Sequence, residues 1–146
     1  MLDWIENWAG ETAVIVFAIF LLTLSAACDV WEWVVWLKLR RERSPSHVRR
    51  GIEFTSLVAG TASMVLFGFF LLGVERWVAG GTDWTIDLWI SFAGMGVSGI
   101  ALLASPFSRG KLRIAGIVVG VIMSAYWWEV WNLLGFARGY AEYGPF

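Results

Sequence analysis

Apolar residues fall in long runs along the chain, and four runs are long enough to cross a bilayer: about Thr12 to Trp36, Ile52 to Trp77, Ile86 to Ala104 and Ile114 to Leu134. A hydrocarbon core of roughly 30 Å asks for about 20 mostly apolar residues per helix. Strands would leave backbone polar groups bare in lipid, so each run is predicted to be a helix. The segments between them are short: a basic loop at 38–50, a Gly/Asp loop from Ala79 to Asp83, and a turn at 105–113. Short connections predict an all-α, antiparallel four-helix bundle forming a single membrane domain over residues 1–146.

The polar residues orient this bundle. The first loop carries Lys38, Arg40, Arg41, Arg43, Arg49 and Arg50, and the third carries Arg109, Lys111 and Arg113. Nine of the 11 basic residues thus fall at one end, leaving Arg76 and Arg138 at the other. Acidic residues lean the opposite way, with Asp3, Glu6, Glu11, Glu75, Asp83, Asp87 and Glu142. By the positive-inside rule the basic end is cytoplasmic, and both termini are expected on the non-cytoplasmic side of a plasma (inner) membrane. The acidic start lacks the positive charge of a secretory signal, so Met1 is expected to remain. Arginine outnumbers lysine, which suggests a GC-rich prokaryotic source.

Composition agrees with lipid as the solvent. The chain is 58% hydrophobic and 16% aromatic, more apolar surface than a soluble domain of 146 residues can hide. Its net charge of -1 gives no pull toward nucleic acid. Of the 11 tryptophans, Trp31, Trp33 and Trp36 gather near the basic end. Trp4, Trp8, Trp77, Trp84, Trp89, Trp127, Trp128 and Trp131 gather near the other, as an interfacial belt would. Trp127, Trp128 and Trp131 also form a candidate surface for a lipid, a pigment or a partner.

Small residues mark where helices can approach closely in lipid. Gly116, Gly120 and Ser124 recur at spacing four on helix 4; Ser56, Gly60 and Gly68 form a comparable stripe on helix 2. Helix 3 carries Gly94, Gly96, Ser98 and Gly99. These stripes either join the four helices to one another or receive a neighbouring protein.

Four carboxylates lie within or at the edge of the spans: Asp29, Glu32, Glu53 and Glu129. Ionisable groups at such positions are costly and face the bundle interior, a partner or water. Asp29 and Glu32 share a helix face. With Glu53 at a similar depth, they form a candidate acidic cluster about one turn inside the basic boundary. This cluster is either a proton or cation site or a cap ion-paired to Arg40, Arg41, Arg49 and Arg50. Glu129, among tryptophans near the other boundary, has Arg76, Arg138, Tyr126 or an indole N–H as candidate partners.

Other chemistries find little material. His47 is the only histidine and Cys28 the only cysteine, so neither haem nor a metal centre is expected to be held through His or Cys. No phosphate loop, dinucleotide fingerprint or nucleophile elbow occurs. An enzyme is therefore not expected. The leading expectation is a non-catalytic accessory subunit packed within a larger membrane complex, with membrane lipids and other membrane subunits as partners. The alternative is a small homo-oligomeric channel or a proton- or cation-coupled transporter using the membrane carboxylates.

Overall fold

The structure, a computed structural model, describes the backbone of residues 2–40, 46–78 and 84–143, and the side chains of residues 12–39, 46–73 and 86–135. Four helices follow one another: α1 (Leu2–Arg40), α2 (His47–Val78), α3 (Trp84–Ala104) and α4 (Gly110–Tyr143). Each contains a stretch long and apolar enough to cross a membrane: Thr12–Leu39, His47–Gly73, Ile86–Phe107 and Gly110–Gly135. The chain is a multi-pass, all-α membrane protein.

The helices reach further than the apolar runs predict. Arg49 and Arg50, expected in the first loop, lie in the opening turns of α2, which Ser46 caps by accepting a hydrogen bond from the Arg49 amide at 3.3 Å. Arg40 ends α1, while Arg41 and Arg43 lie outside the described residues. The predicted turn at 105–113 is shorter in fact. Pro106 sits in a 3-10 turn (Ser105–Phe107), and the Ser108 amide closes it on the Ser105 carbonyl at 3.0 Å. Gly110 then starts α4 with φ +44, a left-handed backbone that glycine adopts without a Cβ clash.

Buried positions explain how the helices pack. On α2 they include Glu53, Ser56, Gly60, Ser63, Phe67 and Phe70; along α3 and the turn that follows it, Ser91, Gly94, Ser98, Ala101, Ser105 and Ser108. On α4 they include Gly116, Gly120, Met123, Trp127, Val130 and Leu134. All three sets alternate steps of three and four, the spacing of nearly parallel, left-handed helix packing. The α3 face is made wholly of Ser, Gly and Ala, so α2 and α4 both approach its backbone. These two pairs, with α1 against α4, are the broad interfaces; α1 meets its sequence neighbour α2 over a narrower one.

Glycine contacts fix the closeness. A Cβ on Gly120 would stand 2.9 Å from Leu102 Cα, and one on Gly94 would stand 2.0 Å from Trp127 Cε2. A Cβ on Gly116 would meet Ser105 Cβ at 2.9 Å, and one on Gly60 would meet Val119 at 3.2 Å. These four glycines serve contacts within the bundle. Gly68, Gly96 and Gly99 have open space instead. Ser124 is half-buried, because a spacing of four drifts off the three-four stripe that Met123 and Trp127 continue.

Trp127 is the main departure from the aromatic belt. It is fully buried, packed edge-on against Phe67 at 5.5 Å and Phe70 at 6.1 Å, and its Nε1 donates to Ser63 Oγ at 2.9 Å. With Met123, Val130 and Leu134 these rings form an apolar core toward the chain ends. Trp128 and Trp89 are exposed, as a belt requires, and Trp131 is half-buried against Phe92 at 4.8 Å.

Candidate intramembrane carboxylate site

The interior toward the basic end is polar. α1 turns Ser25, Asp29 and Glu32 inward, again at steps of four and three, and all three are buried. Asp29 lies ten residues from Leu39, the end of its apolar span, or about 15 Å along the helix.

Asp29 is held by a network that spacing did not reveal. Thr61 Oγ1 on α2 stands 3.0 Å from both Asp29 oxygens and 3.0 Å from the Leu57 carbonyl, while accepting from Trp33 Nε1 at 2.9 Å. One hydroxyl has one hydrogen to give. At any moment Thr61 therefore serves at most one of these three acceptors, and at least one Asp29 oxygen receives nothing from it.

Glu32 lies one turn further along the same face and is 1% exposed. Its Oε1 and Ser56 Oγ each lie 3.1 Å from where a Gly116 Cβ would be, so the missing side chain makes the room. Ser56 donates elsewhere, to the Ala101 carbonyl at 3.4 Å. Glu32 Oε2 is sealed with no hydrogen-bond partner among the described residues, as is Ser25 Oγ one turn beyond Asp29. A buried carboxylate oxygen without a donor is expensive. A proton or a small cation relieves that cost.

Glu53 does not join this pair. It is 1% exposed and takes a two-pronged bond from Arg109, Nε to Oε1 at 2.7 Å and Nη2 to Oε2 at 3.2 Å. Neither Arg49 nor Arg50 is its partner, and among the described residues their Nε atoms are buried without one. The antiparallel bundle brings the α3–α4 connection beside the start of α2, which is why Arg109 reaches Glu53. The expected three-carboxylate cluster therefore resolves into a neutralised pair, Glu53–Arg109, and an acidic pair, Asp29 and Glu32. No group of three His, Cys, Asp or Glu side chains able to hold a metal ion occurs among the described residues.

Glu129 stands apart from all of these. It is exposed on the outer side of α4, in a furrow shared with α1, rather than facing the interior. Arg76 and Arg138, named as candidate partners for it, have side chains outside the described residues.

Fold and site together define a four-helix integral membrane protein with three acidic side chains buried between its helices, of which Glu53 is paired with Arg109. The chain matches no protein family, no curated protein and no solved structure.

Proposed function

We propose that the protein binds a proton or a monovalent cation at Asp29 and Glu32 and passes it between the membrane interior and the basic, cytoplasmic end. The observation that carries this is the sealed Glu32 Oε2, a buried acceptor with no protein donor. Ionisable groups inside an apolar span are costly to bury and commonly mark ion or proton paths. On this reading the Glu53–Arg109 pair, set near the start of α2 and the α3–α4 connection, flanks the way in from the basic end. The closely packed Phe67, Phe70 and Trp127 core favours exchange with the basic end, and release to the other side would require those rings to move. On this reading the chain handles an ion without breaking covalent bonds, and it needs no resident cofactor.

Flux tests it. Purified protein in liposomes carrying a pH-sensitive dye is expected to dissipate an imposed proton or potassium gradient. Glu32→Gln and Asp29→Asn are expected to abolish this, and Glu129→Gln to leave it unchanged. Equal flux from wild type, Glu32→Gln and Asp29→Asn would overturn the assignment.

A second reading, an accessory subunit of a larger membrane complex, draws support from Gly68, Gly96 and Gly99, whose open faces leave room for another helix. It predicts co-purification with larger chains at fixed stoichiometry in mild detergent.

A further inference from the structure

The two buried carboxylates of α1 sit against glycine walls. Glu32 Oε2 has no surface left that a water molecule could touch. The other oxygen, Oε1, faces Gly116 across a gap already closed. A single carbon added to Gly116 would stand 3.1 Å from Glu32 Oε1, 3.1 Å from Ser56 Oγ and 2.9 Å from Ser105 Cβ. Asp29 meets a similar wall, since a carbon on Gly60 would stand 3.5 Å from its Oδ1 and 3.2 Å from Val119 Cγ1. The two differ in what they receive. Trp33 Nε1 donates to Thr61 Oγ1 at 2.9 Å, and that hydroxyl faces both Asp29 oxygens at 3.0 Å. Successive donors polarise one another and favour negative charge on the last acceptor. Glu32 Oε2 has no donor among the described residues. Around Glu32, α1 carries Cys28 and Asp29, and α2 carries Glu53, already paired with Arg109. On α4, Arg113 gives its Nε proton to the Ser108 carbonyl at 3.2 Å. The one ionisable residue of α3, Asp87, lies in its first turn, far toward the other end.

A metal cation bound inside a membrane protein exchanges its hydration shell for several protein oxygens. A potassium ion is about as wide as a water molecule, so it cannot reach an oxygen that water cannot touch. A sodium ion is smaller but still needs several oxygens around it at once. Where Glu32 and Ser56 come together over Gly116, the gap does not admit even one carbon. A proton needs neither the room nor the shell. With this pair taken as the ion site proposed above, we infer that its ion is a proton, carried by Glu32, while Asp29 remains the anion held by Thr61. The proton forms one O–H bond with a Glu32 oxygen and lowers the negative charge of the pair by one. A neutral acid is also far less costly than a carboxylate at a sealed position. Gly116 and Gly60 then set the selectivity, because each brings a helix backbone against a carboxylate and leaves no space for a larger ion.

Infrared spectroscopy of the full chain, in a detergent without ester carbonyls, reads the proton directly. At neutral pH a carboxylic-acid carbonyl band is expected, equal in potassium, sodium and choline buffers. Glu32→Gln should remove this band and Glu129→Gln should leave it. Carboxyl-labelled ¹³C-glutamate should shift it in the wild type and ¹³C-aspartate should not, a measurement that needs no variant to fold. In liposomes, uptake of radioactive rubidium or sodium should equal that of empty vesicles. A spectrum with no band that Glu32→Gln removes, a band that follows the aspartate label, or a band lost when potassium or sodium replaces choline would overturn the inference. So would rubidium or sodium uptake that depends on Glu32, although the ion-site reading would then survive. A Glu32 acid band without any proton flux would keep the proton on Glu32 and sink the transport reading instead, so the two failures are separate results.

Discussion

The same four helices enclose two interiors that are held together in different ways. Toward the basic end, the space between them is filled by Ser25, Asp29, Glu32, Glu53, Ser56 and Ser105. Toward the chain ends it is filled by Phe67, Phe70, Met123, Trp127 and Leu134. In lipid, apolar side chains gain nothing merely by leaving the solvent, because the tails are equally apolar. The aromatic half is therefore specified by fit, with one large ring lying over one glycine. The polar half is specified by pairing, since each buried donor or acceptor without a partner carries a penalty. The two also differ in what they can do. A well-packed core resists partial change, whereas a carboxylate can gain or lose an ion without any ring moving. On the ion-site reading, function would sit where pairing is left incomplete, as at Glu32 Oε2.

If pairing governs the polar half, removing one member of its ion pair is the most damaging single change. Arg109→Met strands the Glu53 carboxylate, which is 1% exposed. Breaking a buried pair in this way costs about 3 to 5 kcal/mol. Arg109 is 25% exposed, so water softens the loss and the lower figure applies. Adding Glu53→Gln should recover most of it. Unfolding titrations in mixed detergent micelles, followed by tryptophan fluorescence, measure both. A double variant no more stable than Arg109→Met would mean that charge pairing does not govern this half.

Fit should dominate the other half. Gly94→Ala adds one carbon 2.0 Å from Trp127 Cε2, and that ring is wedged between Phe67 and Phe70. Overpacking of this kind costs about 1 to 3 kcal/mol. Gly68→Ala, with open space around it, should cost nothing and gain some helix propensity. Near-ultraviolet circular dichroism should change in the first variant and not in the second. Equal effects of the two would remove the idea that ring-on-glycine packing specifies this end.

Much of the architecture was legible in the sequence because lipid imposes simple rules: four apolar runs, four helices, short connections. Which way each helix faces was harder. The Gly116–Gly120 stripe predicted Ser124 as its third member, but nearly parallel helices repeat every three and four residues. Continued at that step, the stripe runs through Met123 to Trp127, so the same two glycines already pointed to the buried tryptophan. Counting tryptophans by depth hid this, because depth says nothing about side. The carboxylates show a similar gap. Asp29 and Glu32 were legible as a face of α1. The partner of Glu53 was not, since it depends on which loop lies beside the start of α2. Arg109 was visible in the third basic segment, and an antiparallel bundle places that segment next to the first. Thr61 carried no signal at all: one threonine in an apolar helix acquires its role only through the rotation that sets it against Asp29 and Trp33.

The smallest expected effect separates the halves most sharply, because two variants remove the same kind of group. Ser63→Ala deletes the acceptor of the Trp127 indole, and Thr61→Val deletes that of the Trp33 indole. Each strands one N–H, and each should cost about 1 kcal/mol in the same unfolding titration. Valine keeps the shape of threonine, so the second change is not a packing change. The two should then part in function. Ser63 contacts no carboxylate in the structure described, and its loss should leave liposome flux as it was. Thr61 supplies the hydroxyl that faces both Asp29 oxygens, so its loss should alter flux, and Thr61→Ser should restore it. If Ser63→Ala and Thr61→Val changed flux alike, the rings and the carboxylates would be acting as one unit, and the division into a fitted half and a paired half would fail.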